Sequence, residues 1–183
     1  MDNARQTLLE LLARESYIER KLTLASGRSS DYYIDCKRTL YLPQGAFLAG
    51  ELMLELILAE RIEQLGGMAA GALPLTDAVI TAAYRKAADI TGFFVRKEIK
   101  AHGTQQRIEG AFRSARRTGV IDDTITTGGS SLEAVSAIKT AGGSVSAAFA
   151  LVDRGEGASE TFAGHGLKYS YLFTAEEVRA ARK

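Results

Sequence analysis

The chain has 183 residues, 46% of them hydrophobic and 25% charged, which is ordinary globular usage and enough length for one domain with a sizeable core. Its formal net charge of +1 argues against bulk attraction to nucleic acid or to a membrane surface. No apolar run approaches the roughly 20 residues of a membrane span, and one cysteine, Cys36, cannot form an internal disulfide, so a soluble cytoplasmic protein with a buried thiol is expected.

Near the N-terminus, Leu8, Leu9, Leu11 and Leu12 give an apolar face to a first helix. The aromatic and β-branched run DYYIDCK predicts a strand. Pro43 is placed to start a second helix, in which Phe47, Leu48, Leu52, Leu56 and Ala59 recur at helical spacing as far as the LGG of residues 65–67. A short Gly/Ala segment, GMAAGALP, precedes a third helix expected over about residues 75–88. TGFFVR reads as a strand, KEIKAHGTQQR as a polar, basic loop, and IEGAF and TGVID as strands on either side of RSARR. A helix over residues 129–141 carries Leu132, Val135 and Ile138 on one face. SVSAAFALVD and YSYLF predict two further strands, with His165 in a Gly-flanked turn between them to which no role is assigned. In the closing TAEEVRAARK, Thr174 is the expected N-cap and Glu177 completes a capping box. Strands alternating with helices argue for an α/β fold with a mainly parallel sheet, in which ligands sit beyond the C-terminal strand ends.

At such an end stands VIDDTITTGGSS, residues 120–131. A Gly-rich turn running into a helix offers backbone N–H groups and the positive end of the helix dipole, to which Thr126, Thr127 and Ser130 add hydroxyls while Gly128 and Gly129 allow close approach. That set suits a phosphate monoester. Asp122 and Asp123 would repel a phosphate, so they need another target, and sugar hydroxyls or a hydrated cation are the natural ones. A ribose 5-phosphate satisfies both halves. The turn lacks the Lys of a Walker A loop and the spacing of a dinucleotide fingerprint. The rest of the chain supplies a partner for more negative charge: residues 96–117 hold seven Lys/Arg against two acids.

VIDDTITTGGSS resembles the phosphoribosyl-diphosphate motif of the type I phosphoribosyltransferases. LTLASGRSSDYYIDCK, GGMAAGALP, FVRKEIKAHGTQQRIEG and ALVDR resemble, in order, further segments of the orotate phosphoribosyltransferases within that group. The resemblance implies a type I phosphoribosyltransferase fold in one domain, with an N-terminal hood over about residues 1–40 and a mobile catalytic loop over about residues 97–109. It implies transfer of ribose 5-phosphate from phosphoribosyl diphosphate to orotate, with Mg²⁺ held mainly by substrate and water, in a homodimer whose loops are shared between subunits. Arg96, Lys97, Lys100 and His102 are then expected on the diphosphate, with Lys100 stabilising the transition state beside His102. Asp122, Asp123, Thr124, Ile125, Thr126, Thr127, Gly128, Gly129 and Ser130 are expected around the ribose and its 5-phosphate. Arg154 offers a guanidinium fork for the orotate carboxylate, Thr126 a hydroxyl, and Tyr32 and Tyr33 a stacking surface.

The chain departs from many relatives in having Ala25 where they have Lys, and Ala69, Ala70 and Gly71 where they have a Tyr-Lys pair, so the backbone of residues 67–74 is expected to do that work. Two rival readings remain open: a transferase for a purine base, and a regulator that binds phosphoribosyl diphosphate and nucleic acid without catalysis. The small net charge and the position of the basic cluster weigh against the second.

Overall fold

The computed structural model of the chain describes residues 2–23, 29–98 and 107–182. Helix α1 (Asp2–Leu11) buries Leu8, Leu9 and Leu11, and a π-helical turn (Leu12–Ser16) carries Leu12 and Ala13 into the same interior. Strands β1 (Tyr17–Thr23) and β2 (Ser29–Ile34) then pair antiparallel in a small sheet of their own. The expected DYYIDCK strand stops at Ile34. Asp35 makes one more bond in the same register, its N–H donating to the Ser16 carbonyl at 2.9 Å, and Cys36 and Lys37 then open a short helix, α2 (Cys36–Leu40). Cys36 is fully buried, and burial pushes its thiol well above the usual range.

Helix α3 (Pro43–Ala59) starts on Pro43, whose missing N–H costs nothing in a first turn, and packs along α4 (Ala72–Arg85). Among the described residues a six-stranded sheet follows, in the order β5-β4-β3-β6-β7-β8. Its strands are β3 (Gln64–Met68), β4 (Thr91–Val95), β5 (Ile108–Gly110), β6 (Thr118–Ile125), β7 (Val145–Asp153) and β8 (Lys168–Thr174). The β5–β4 pairing is antiparallel and the others are parallel. Helices α5 (Gly129–Thr140), α6 (Ala158–Gly164) and α7 (Ala175–Ala180) complete the order. Period-two alternation splits the core in two. Ile121 and Phe149 face α1, α3 and α4, whereas Val120 and Ala148 face α5 and α6 with Phe162. The α7 cap has the expected geometry, Glu177 N–H donating to Thr174 Oγ1 at 3.1 Å and Thr174 N–H donating to Glu177 Oε2 at 2.7 Å.

Strand β3 had no clear signal in the sequence, and two expected elements differ at their ends. Strand β3 is the most informative, since GG depresses strand propensity. Side chains at Gly66 and Gly67 would run into the carbonyls of Phe93 and Ile121, so the neighbouring strands require the glycines that disguise this one. Helix α4 begins three residues before the expected start at residue 75. Strand β5 falls within the expected IEGAF strand, and because Ile108 and Glu109 pair with Val95 and Phe94 of β4 they belong to it and not to the end of the catalytic loop expected over about residues 97–109.

From β3 the chain crosses to β4 on one side, and from β6 it crosses to β7 on the other. The pairing of β3 with β6 ends at Gly66 and Val120, although β6 continues to Ile125. A crevice therefore opens at the switch point, beyond the C-terminal ends of these two strands.

Candidate active site

Asp122 and Asp123 lie in that crevice. Strand β6 runs through both, so they are strand residues beyond its last pairing with β3 and not part of the turn. They are 9% and 7% exposed. A Cβ placed on Gly71, at the start of α4, would stand 2.7 Å from Asp122 Oδ1 and 3.0 Å from Asp123 Oδ1, so both carboxylates converge on this glycine. The Asp123 N–H donates to Asp122 Oδ1 at 3.0 Å, and the Thr124 N–H donates to Asp123 Oδ1 at 2.8 Å. Burial, with Asp123 beside it, raises the Asp122 carboxyl to about 8. Burial raises Asp123 as well, against the pull of the Lys37 ammonium, whose Nζ is 3.7 Å from Asp123 Oδ2. Two carboxylates held this close share their protons as a unit, and Lys37 favours Asp123 as the charged member.

After Ile125 the chain turns through Thr126, Thr127 and Gly128 into α5. Gly128 has φ +87°, and a side chain there would meet the Phe162 ring at 3.0 Å. Thr124, Thr126 and Thr127 are half-buried while Gly129 and Ser130 are exposed at the helix start, where first-turn N–H groups have no intrahelical acceptor. Ile125 fixes the start of this turn. Its side chain is buried with Ala134 and Phe162, and its carbonyl accepts the Arg154 N–H at 2.9 Å, so it anchors the turn through side chain and carbonyl.

The guanidinium of Arg154 is held on two sides. Its Nε donates to Glu156 Oε1 at 2.9 Å, and its Cζ stands 4.6 Å from the centroid of the Tyr32 ring. Tyr32 in turn stacks on Tyr17 at 5.1 Å, with Arg182 over Tyr17 at 4.8 Å. The pair Tyr32 and Tyr33 is therefore not one stacking platform: adjacent strand residues point to opposite sides. Tyr32 is built into the Arg154 stack, while Tyr33 is exposed and close enough to act on the charge of Lys37. Arg154, Tyr32, Glu176, Arg179 and Arg182 line a cavity of about 640 Å³, large enough for a flat heterocyclic anion.

Arg96 and Lys97 follow β4. The Arg96 N–H donates to the Arg107 carbonyl at 2.8 Å, and the Arg107 Nε returns to the Arg96 carbonyl at 3.0 Å, which brings the two residues together at the base of the basic segment. Arg96 pairs with Glu109 at 3.2 Å and Arg107 with Glu133. Lys100 and His102 lie outside the described residues. His165 Nδ1 is 2.8 Å from the Thr161 carbonyl at the end of α6.

No family model matches the chain. A curated orotate phosphoribosyltransferase from a Bradyrhizobium species is 43% identical over 178 residues, covering 95% of this chain and 96% of its own. The chain belongs to the orotate phosphoribosyltransferase family. The solved orotate phosphoribosyltransferase of Mycobacterium tuberculosis superposes with a TM-score of 0.84 at 38% identity, covering 96% of this chain and 98% of its own. A structure of that protein in complex with 5-phospho-α-D-ribosyl 1-diphosphate superposes with a TM-score of 0.81 at 34% identity and the same coverage. The α/β architecture with its mainly parallel sheet is thus that of the orotate phosphoribosyltransferases.

Sequence reasoning missed four residues that shape this site. Gly71 passed as one small residue among several. Lys37 was read as part of a strand, and Tyr17 and Glu156 carried no motif. The signal for Lys37 was faint but present: a Lys two residues after Asp35, closing the segment LTLASGRSSDYYIDCK.

Proposed function

We propose that the chain transfers the 5-phosphoribosyl group of phosphoribosyl diphosphate to orotate, giving orotidine 5′-phosphate and diphosphate for pyrimidine synthesis in the cytoplasm. The observation that carries this reading is the buried Asp122–Asp123 pair, converging on Gly71 beside the start of α5. In the ribose site the two carboxylates accept hydrogen bonds from the sugar hydroxyls. The hydroxyls of Thr126, Thr127 and Ser130 and the first-turn N–H groups of α5 hold the 5-phosphate. Arg96 and Lys97 reach the diphosphate, and the assignment of Lys100 and His102 as its partners rests on sequence resemblance. Cations aimed at the departing diphosphate lower the barrier as its charge develops.

Arg154 takes the orotate carboxylate, with Glu156 and Tyr32 fixing the plane of its guanidinium. Tyr33 is the better stacking surface of the tyrosine pair, being exposed where Tyr32 is covered. Mg²⁺ held mainly by substrate and water oxygens is the ion proposed, with the buried Asp122 and Asp123 carboxylates, oxygen groups of the kind such an ion prefers, at the same site. Bound there, Mg²⁺ would supply Lewis-acid help to the leaving diphosphate. A homodimer with shared loops is the assembly proposed, and exposed Tyr41, Phe47 and Tyr84 around α3 and α4 supply an aromatic surface for it. Among the described residues no helix is long and apolar enough to cross a membrane.

The test is the loss of orotate absorbance with phosphoribosyl diphosphate and Mg²⁺, with adenine, guanine and hypoxanthine as competing acceptors. Turnover with a purine and none with orotate would overturn the reading.

A further inference from the structure

We propose that Lys37 is a positioning residue that keeps Asp123, of the two buried aspartates, charged and directed at the ribose hydroxyls. The inference rests on the reading of Asp122 and Asp123 as the ribose site. Lys37 comes from α2, far in sequence from β6, and the fold sets it between two carboxylates. Its Nζ is 2.7 Å from Asp35 Oδ1 and 3.7 Å from Asp123 Oδ2. The first distance is a hydrogen-bonded ion pair. The second is too long for a hydrogen bond but close enough for strong charge interaction. Lys37 is therefore tied to Asp35 and acts on Asp123 through its field, which leaves acceptor capacity on Asp123 Oδ2 for a sugar hydroxyl. Asp123 Oδ1 is already aligned by the Thr124 N–H.

Among the groups facing Asp123, Lys37 supplies the cation. Burial and the Asp35 carboxylate ahead of α2 both favour a neutral Asp123, Asp122 on the same strand and the Thr124 N–H favour its charge through hydrogen bonds, and the Cys36 thiol is kept neutral by burial. From the start of α4 comes Gly71, which carries no side chain. Burial favours the neutral carboxyl at both aspartates, and Lys37 acts against it at both, with its Nζ 3.7 Å from Asp123 Oδ2. Partial burial also works against the ammonium, but Asp35 and Asp123 outweigh it and hold Lys37 above the usual lysine range, so it stays charged throughout the working pH. A Lys37 that merely tied α2 to β6 would stabilise the fold without selecting which carboxylate is ionised.

The test compares Lys37→Met, which keeps length without charge, with Lys37→Arg. Two readings are taken: the acid limb of kcat/KM for phosphoribosyl diphosphate, and the titration of the Asp123 carboxyl followed by carbon-13 NMR in the substrate-free protein. Loss of a cation at this distance should move both to higher pH by about one unit or more in Lys37→Met, so that kcat/KM measured below the limb falls about tenfold. Lys37→Arg should restore both toward the wild type. Should Lys37→Met not fold, Lys37→Gln carries the same readings. An Asp123 titration that is unmoved in a folded uncharged variant overturns the proposal, whatever happens to the rate; a rate loss of that kind would mean that Lys37 touches substrate directly. Failure of the wild type to consume orotate would instead overturn the proposed reaction, and the NMR reading would still decide the role of Lys37.

Discussion

Replacing Gly71 with alanine should separate activity from stability. Gly71 sits at φ −60° and ψ −46°, an ordinary helical conformation at the start of α4. Alanine therefore adds no backbone strain there and restricts the unfolded chain, a gain of about 0.4–1 kcal/mol. The added carbon, however, would stand 2.7 Å from Asp122 Oδ1 and 3.0 Å from Asp123 Oδ1. Carbon–oxygen contacts settle at about 3.3–3.6 Å, so the nearer carboxylate must retreat by about 0.6–0.9 Å. It cannot do so without loosening its bond from the Asp123 N–H, now 3.0 Å. Misplacing a reacting group by about 1 Å costs about a hundredfold, so kcat/KM for phosphoribosyl diphosphate should fall about ten- to a hundredfold. The repacking cost and the entropy gain oppose each other, so unfolding free energy should stay within about 1 kcal/mol of wild type. Initial rates of orotate consumption and a thermal unfolding curve measure the two effects. A folded Gly71→Ala protein with wild-type kcat/KM would show that the carboxylates, where they converge, are not part of the reacting site.

The same aspartates predict a pH dependence of stability. Burial raises Asp122 from 3.8 to about 8, so the folded chain holds a proton that the unfolded chain has released between those values. Stability of the ligand-free protein from this group is present at low pH and is lost as pH rises through that window. Asp122→Asn should flatten the curve of unfolding midpoint against pH and raise the midpoint at pH 8, while turnover collapses; an unchanged slope would refute the assignment. Arg154→Lys keeps the charge but removes the planar fork that Glu156 and Tyr32 hold, so KM for orotate should rise more than KM for phosphoribosyl diphosphate. Equal rises would make Arg154 structural. Mixing Lys100→Ala with Asp123→Asn chains should restore activity to about a quarter of wild type if loops are shared, since half of randomly exchanged dimers carry one intact site. No recovery, with exchange shown independently, would reject the shared loop and leave the reaction standing.

How much of this was legible before folding depends on the range of the signal. Local chemistry was legible. Pro43 starts α3, Gly129 opens α5, and Thr174 with Glu177 caps α7, because each depends on backbone groups within one helical turn. The acid pair and the Gly-rich turn could be read as a phosphate-and-diol site for the same reason: the groups are consecutive along the chain. What only the tertiary structure decided involves surfaces from distant segments. The glycines of β3 look like a loop until the carbonyls of β4 and β6 are seen to close on them. Gly71 looks incidental until β6 brings two carboxylates against it. Tyr32 and Tyr33 are neighbours in sequence but are sent to opposite sides by the pleat, one into the Arg154 stack and one toward Lys37. Lys37 acquires its second carboxylate only because α2 packs beside β6. Periodicity and motifs report what a residue needs from its own segment, whereas the field at a buried charge is set by whatever the rest of the chain places around it.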